Sequence, residues 1–194
     1  MKKYLKASIK LGYYRLVNPL LKIIISPLFD KKYLGGRYFD KGYQGWFWVL
    51  RSIFTQKLLG FNRKVPWPVS PFISIDDPLR VIFDLDDLNN FQHFGCYYAN
   101  YGGGRITIGK GTWIAPNVGI ITTDHGLDDP SLHTSPQDVV IGEKCWIGMN
   151  SVILKGVHLG NNTVVGAGAV VTKSYPEGHC VIAGVPAKIV RKLN

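Results

Sequence analysis

Aliphatic residues recur at every sixth position through the C-terminal half of this chain. Read in sixes from Ile108, the sequence runs IGKGTW, IAPNVG, IITTDH and, after an interruption, IGEKCW, IGMNSV, ILKGVH, LGNNTV, VGAGAV, VTKSYP. The first residues are Ile108, Ile114, Ile120, Ile141, Ile147, Ile153, Leu159, Val165 and Val171. All nine are aliphatic, although Ile, Leu and Val make up only 53 of the 194 residues, so chance is a poor explanation. The second position is Gly or Ala in six of the nine blocks, and the fifth is Thr, Val, Cys, Ser or Ala in seven. Such a repeat suits a triangular coil in which each hexad supplies one short strand and one corner. The aliphatic residue points inward onto its equivalent in the next coil. Glycine relieves crowding at the corner, where unusual backbone angles are needed. One coil cannot bury its own face, so coils must stack. A helical period is excluded by the glycines throughout. The pattern predicts an all-β parallel solenoid over 76–194, the last residues forming a tail, and a separate extension over 1–75.

Upstream of Ile108 the period weakens. Leu79, Leu85, Phe91 and Tyr97 fall at sixes among polar neighbours, which reads as a first, irregular coil. Within the solenoid, Ile120 and Ile141 are 21 residues apart, read as one 18-residue coil plus three. Residues from about Gly126 to Val139 then bulge out as a loop beside His125, which closes the last hexad before the break. Loops on rigid scaffolds often carry function.

Residues 1–75 show no hexad. Lys2, Lys3, Lys6, Lys10 and Arg15 accompany Leu5, Ile9, Leu11, Leu16 and Val17, a basic helix with apolar residues on one side. Trp46, Phe47, Trp48, Val49, Leu50, Ile53 and Phe54 form an aromatic-rich run. Two readings stand together: peripheral membrane contact through residues 1–55, or a helical cap for one end of the solenoid. Leu16 to Phe29 is apolar-rich, but Asn18, Pro19, Lys22 and Pro27 make it too broken to span a bilayer, and no signal peptide is apparent. The expected location is cytoplasmic, with the membrane's inner face as the place of any contact.

Charge adds one constraint. Lys and Arg outnumber Asp and Glu by 23 to 13, a net +10 that draws anions such as phosphorylated cofactors, acidic membrane or nucleic acid. No nucleic-acid motif is present and a glycine-rich solenoid offers no recognition helix, so no nucleic-acid partner is expected. Cys96, Cys145 and Cys180 are odd in number and form no C-x-x-C, which suits buried filler in a reducing compartment.

The hexads, with YYAN at 97–100, ITIGKGTWIAPNVGI at 106–120, TDHGLDDP at 123–130, CWIG at 145–148 and VIAGVPAKIVRK at 181–192, resemble the hexapeptide-repeat acyltransferases, most closely the maltose, galactoside and nodulation-type sugar O-acetyltransferases. The resemblance covers roughly Phe91 to the C-terminus. It implies a left-handed parallel β-helix, a homotrimer, and acetyl-CoA bound in a groove between two β-helices, with no metal. The reaction it implies is direct transfer of acetyl to a hydroxyl of a saccharide or related acceptor. His125 matches the catalytic histidine, and imidazole suits a base working near neutral pH. Asn100 matches an asparagine that contacts acceptor hydroxyls; the alternative is a turn asparagine before Gly102. Trp146 matches an active-site tryptophan; the alternative is interface packing. Gly148, Gly166 and Ala167 are candidates for backbone contacts to the pantetheine arm, and Lys173, Lys188 and Arg191 for its phosphates. His133 shares the His125 loop and could line the pocket, with a solvated residue the better reading, and His93, His158 and His179 lack motif context.

Two other functions fit the fold. A γ-type carbonic anhydrase needs two histidines five residues apart, whereas His125 and His133 are eight apart. A non-catalytic scaffold needs neither a histidine at the period break nor a cationic tail.

Overall fold

The structure is a computed structural model that describes residues 12–193. The chain divides into two compact units, Met1–Val69 and Ser70–Asn194. Most of the basic helix expected at the start, from Lys2 to Leu11, lies outside the described residues.

In the first unit, a π-helical turn Tyr13–Val17 runs into α1 (Asn18–Ile25), with Pro19 in the first turn, where a missing amide hydrogen costs little. A short helix α2 (Arg37–Asp40) precedes α3 (Gln44–Ser52), which continues as a π-helical segment Ile53–Leu58. The aromatic-rich run is therefore helical. Phe29, Leu34, Phe39, Trp48 and Trp67 are buried in this unit. No helix among the described residues is long and apolar enough to cross a membrane.

The second unit is the solenoid. Its strands are β1 (Ser74–Ile75), β2 (Val81–Ile82), β3 (Tyr97–Ala99), β4 (Ile106–Ile108), β5 (Trp113–Ile114), β6 (Gly119–Ile121), β7 (Val139–Ile141), β8 (Trp146–Ile147), β9 (Val152–Ile153), β10 (His158–Leu159), β11 (Thr163–Val165), β12 (Val170–Val171), β13 (Cys180–Ala183) and β14 (Lys188–Lys192). Successive strands fall on three sheets in rotation. One sheet stacks β1, β3, β6, β9 and β12; the next stacks β2, β4, β7 and β10; the third stacks β5, β8, β11 and β13, with β14 closing its edge. Every pairing is parallel except β13 with β14.

All nine first-position aliphatics are buried, from Ile108 to Val171. The small fifth positions are buried too, Thr112, Val118, Cys145, Ser151, Val157, Thr163 and Ala169 among them. The three cysteines are free and buried. The corner glycines need a different account from the one the pattern suggested. Left-handed backbone sits at the fourth position, on Gly111, Asn117, Lys144, Asn150, Gly156, Asn162 and Gly168. The second-position glycines are required by close approach instead. A Cβ on Gly109 would lie 2.4 Å from the carbonyl carbon of Gly142, and one on Gly160 would lie 2.1 Å from the Pro176 carbonyl oxygen.

Two readings of the period are corrected by the register. Ile141 stacks directly on Ile108, 33 residues earlier, where uninterrupted coils such as Ile147 on Val165 repeat after 18. Ile120 and Ile141 therefore start neighbouring sides of one coil, normally six apart, and the insertion is fifteen residues rather than three beyond a full coil. Upstream, an irregular coil does form, but of the assigned phase only Phe91 is buried. Leu79 and Tyr97 are exposed, while Ile75, Val81, Leu88, Phe91 and Tyr98 point inward. Register partners there are 23 to 25 residues apart, and a 3₁₀ segment, Leu85–Phe91, stands where the third sheet would have a strand. Its Asn90 replaces that strand's backbone. The side chain donates to the Thr112 carbonyl at 2.8 Å and accepts from the Ile114 amide at 3.0 Å. Backbone polar groups at a buried edge have to be paired, and an amide side chain does it here.

The two kinds of glycine differ in a measurable way. Gly160→Ala pushes a methyl into backbone and should cost about 3 kcal/mol, the upper range for overpacking a close-packed interior. Gly168→Ala meets no atom within 4 Å and carries only its positive φ, a cost of about 1 kcal/mol. Urea unfolding of the two variants should rank them in that order.

Candidate active site

His125 lies four residues beyond β6, at the point where the chain leaves the solenoid. The insertion folds back as a hairpin. The Gly126 amide donates to the Leu132 carbonyl and the Thr134 amide to the Asp124 carbonyl, both at 2.8 Å, so that His125 and His133 sit opposite each other as an antiparallel bridge. Their rings lie 4.4 Å apart at 36°. The Gln137 amide then donates to the Thr122 carbonyl, and β7 resumes the coil.

The hairpin tip sets the orientation of the imidazole. Asp129 accepts from the Ser131 amide at 2.9 Å and from its hydroxyl at 2.7 Å, which shapes the turn around Pro130. The Pro130 carbonyl reaches His125 Nδ1 at 2.6 Å. A carbonyl can only accept, so in the neutral ring Nδ1 carries the proton and Nε2 keeps a lone pair. Asp124 ties the hairpin base to the next coil. It accepts from Lys155 Nζ at 2.6 Å and from the Thr134 hydroxyl, and these two partners hold its carboxyl below the ordinary range.

Beside His125 is a cavity of about 340 Å³ lined by Asp76, Tyr97, Ala99, Tyr101, Ile121, Thr123, Asp124 and His133 as well. Asp76 follows β1. Burial pushes its carboxyl up, against a hydrogen bond from the Tyr97 hydroxyl at 3.5 Å. The Tyr101 ring stands 5.7 Å from that of His133. The cavity thus combines an oriented imidazole, a carboxyl and aromatic faces, which is what activating and holding a polyhydroxylated molecule requires.

The residues expected at the site fare differently. His125 lines the cavity. Asn100 does not. It is fully buried, its Nδ2 donates to the Asp77 carbonyl at 2.7 Å and its Oδ1 accepts from the Asp77 amide at 2.9 Å. Each end of the amide bonds Asp77, so that the buried Asn100 anchors the Asp76–Asp77 segment. Trp146 stands on β8, in a different sheet from β6, exposed and in register with the equally exposed Trp113. It is not part of the His125 cavity within this chain. Gly148 is buried and donates its amide to the Val165 carbonyl; Gly166 donates to the Ile182 carbonyl. Neither amide is open to a ligand, and close coil stacking explains both glycines. Ala167 is exposed. Lys173 follows β12 and lies 5.8 Å over the Tyr175 ring, and Lys188 and Arg191 are exposed on β14. His158 is exposed on β10, as its sixth position suggested.

Asp76, Tyr97 and Tyr101 line the cavity without having been singled out as site residues in the sequence, and His133, read there as solvated, lines it too. His133 had a signal, since Asp124-His125 and His133-Thr134 are mirror pairs across a hairpin. Asp76 had none, because its place depends on an irregular coil with no period.

Comparison with known proteins matches the repeat. Residues 138–173 fit the family described as bacterial transferase hexapeptide (six repeats). The chain is 45% identical over 128 residues to the putative lipopolysaccharide biosynthesis O-acetyl transferase WbbJ of Escherichia coli K12, covering 59% of this chain and 62% of that one. It is 39% identical over 94 residues to the galactoside O-acetyltransferase of the same organism, covering 46% and 45%. Among solved structures, a maltose O-acetyltransferase from Clostridium difficile 630 aligns with a TM-score of 0.52 at 29% identity, covering 63% of this chain and 64% of that one. The chain therefore spans less than two thirds of the length of each. The hexapeptide-repeat resemblance read from the nine hexads holds.

The Asp124–Lys155 tie makes a prediction for the hairpin. Lys155→Ala should speed amide exchange at Gly126 and Thr134 by about tenfold, as local opening becomes easier, and leave the coils unchanged. Because the Asp124 carboxyl is held low, its contribution is present above the ordinary carboxylate range and lost as pH falls through its depressed value. Protection factors in the hairpin of the wild type, corrected for the intrinsic pH dependence of exchange, should fall on acidification, and the variant should lack that response.

Proposed function

We propose that this chain transfers an acetyl group from acetyl-CoA to a hydroxyl of a saccharide acceptor, with His125 as general base, on a solenoid wound left-handed. The observation that carries the reading is the 2.6 Å contact from the Pro130 carbonyl to His125 Nδ1, which leaves Nε2 as the proton-accepting atom beside a cavity of saccharide size. The relatives named as O-acetyltransferases supply the reaction class.

In this reading Nε2 takes the acceptor's O–H proton as the oxygen attacks the thioester carbonyl carbon. The tetrahedral adduct collapses with cleavage of the C–S bond, and the imidazolium returns the proton to the departing sulfur. Asp76 and the Tyr97 hydroxyl orient the acceptor's other hydroxyls, and Tyr101 offers an aromatic face to its C–H groups. Asn100 acts at one remove, by holding Asp77 and with it Asp76. Lys173, Lys188 and Arg191 remain the candidates for the phosphates of CoA, and exposed Ala167 for its pantetheine arm. The free, buried cysteines suit the cytoplasm, where acetyl-CoA is available.

The assembly proposed is a homotrimer. Trp113 and Trp146 form an exposed aromatic ladder, a costly surface to leave in water. A second copy covering it would bring Trp146 toward a shared cofactor groove.

His125→Ala should reduce turnover by about 10² to 10⁴-fold, the scale for losing a general base, with acetyl-CoA still bound. Lys188→Ala should raise the KM for acetyl-CoA more than it lowers kcat. A thiol-release assay over a panel of saccharide acceptors reads both; near-normal turnover of His125→Ala at saturating substrate would remove the base assignment. Sedimentation velocity should give a trimer that Trp146→Ala weakens, and an active monomer would overturn the shared groove.

A further inference from the structure

The first unit inverts the usual arrangement of a helix in a water-soluble protein. Along α3 and its π-helical continuation, Trp48, Val49, Ser52 and Gln56 are the buried side chains, three of them repeating every four residues. Two of the four are polar. Ser52 donates to the Val69 carbonyl at 3.2 Å. Gln56 donates to the Val65 and Trp67 carbonyls at 2.7 and 3.2 Å and accepts from the Val69 amide at 3.3 Å. The opposite face carries Phe47, Leu50, Phe54 and Leu58, spaced three, four and four apart, each more than half exposed. The same inversion occurs on the first helix. Asn18 is buried, donating to Asp40 at 3.3 Å and accepting from the Trp46 indole at 3.1 Å. Leu16, Leu20, Ile23 and Ile24 are each more than half exposed.

A helix that faces water keeps its apolar stripe inward. Here polar side chains are spent inside, on hydrogen bonds to backbone and to other side chains, and four large apolar ones on each helical segment are turned out. A surface of that kind is at rest only against an apolar medium.

Charge says which one. The first unit holds fourteen Lys and Arg against two Asp and Glu, a surplus of twelve positive charges. The second unit holds nine against eleven, so the chain's +10 comes entirely from the first. Any polyanion would answer the charge alone. Apolar faces and strong basicity on one unit together describe an amphipathic segment lying in the interface of an anionic bilayer, with Lys and Arg reaching the headgroups.

We propose that residues 12–69 form a monotopic docking unit that lies on anionic lipid, the apolar faces of α1 and α3 entering the headgroup–acyl boundary. The inference is independent of the chemistry proposed for His125. Only where that chemistry also holds does it bear on the acceptor, which would then be a saccharide carried at a lipid surface.

The test uses the full chain and vesicles of equal parts phosphatidylglycerol and phosphatidylcholine. Wild type should co-sediment with these and at least about tenfold less with phosphatidylcholine alone, because each basic residue near the surface adds to the attraction. The double variant Phe54→Ser, Leu58→Ser should lose at least about tenfold in binding while keeping its helix content by circular dichroism. On the wild type, brominated acyl chains should quench part of the tryptophan fluorescence when the vesicles are anionic, a readout that needs no variant. Binding to neither vesicle, or equal binding by the double variant, would overturn the proposal. So would a change in oligomeric mass of that variant without lipid, which would assign the face to contact between copies.

Discussion

The hydrogen bonds that run from each coil to the next are the constraint on which the solenoid depends. A strand of two or three residues cannot pair within its own coil, so its amides and carbonyls are satisfied only if the neighbouring coil lies flat against it. That requirement explains the small residues. At the second position of Gly109, Gly142, Gly148 and Gly160, any Cβ would meet backbone of the adjacent coil at 2.1 to 2.7 Å. It also explains the ends. Asn90 completes the third sheet at one edge with a side-chain amide, and β14 turns antiparallel to cover the other.

The candidate site is where that regularity is released. Between β6 and β7 the chain leaves the coils for fifteen extra residues, and His125 lies four residues past the last strand before the departure. The stacked coils hold one side of the site, and the hairpin supplies the other: Pro130 to orient the imidazole, His133 to flank it, and Asp124 with Lys155 to hold the hairpin to the coil above. Precision at the imidazole thus comes from a rigid scaffold and a short loop tied at its base.

The first unit answers to a different physical rule. Its interior joins a core of Phe29, Leu34, Phe39 and Trp67 to the paired polar groups of Asn18, Ser52 and Gln56, and the outer faces of its helices carry large apolar side chains. The two units also differ in the sign of their net charge. The docking role proposed for the first unit would account for both contrasts.

The sequence by itself determined the solenoid, because a six-residue period is a local rule that every coil repeats. The nine aliphatics from Ile108 to Val171 point inward as the period required, and the interruption after His125 marked the loop. The apolar run at 46–54 was legible as well, though not the direction in which it faces. Only the tertiary structure decided the rest. The length of the insertion depended on which coil Ile141 stacks on, a register that spans 33 residues. The buried Asn100, matched to an acceptor contact by its motif, bonds Asp77 at each end of its amide. Asp76 and His133 reach the cavity through an irregular coil and a hairpin, where no period operates. Residue spacing encodes contacts that repeat; contacts made once, between segments far apart in the chain, exist only after folding brings them together.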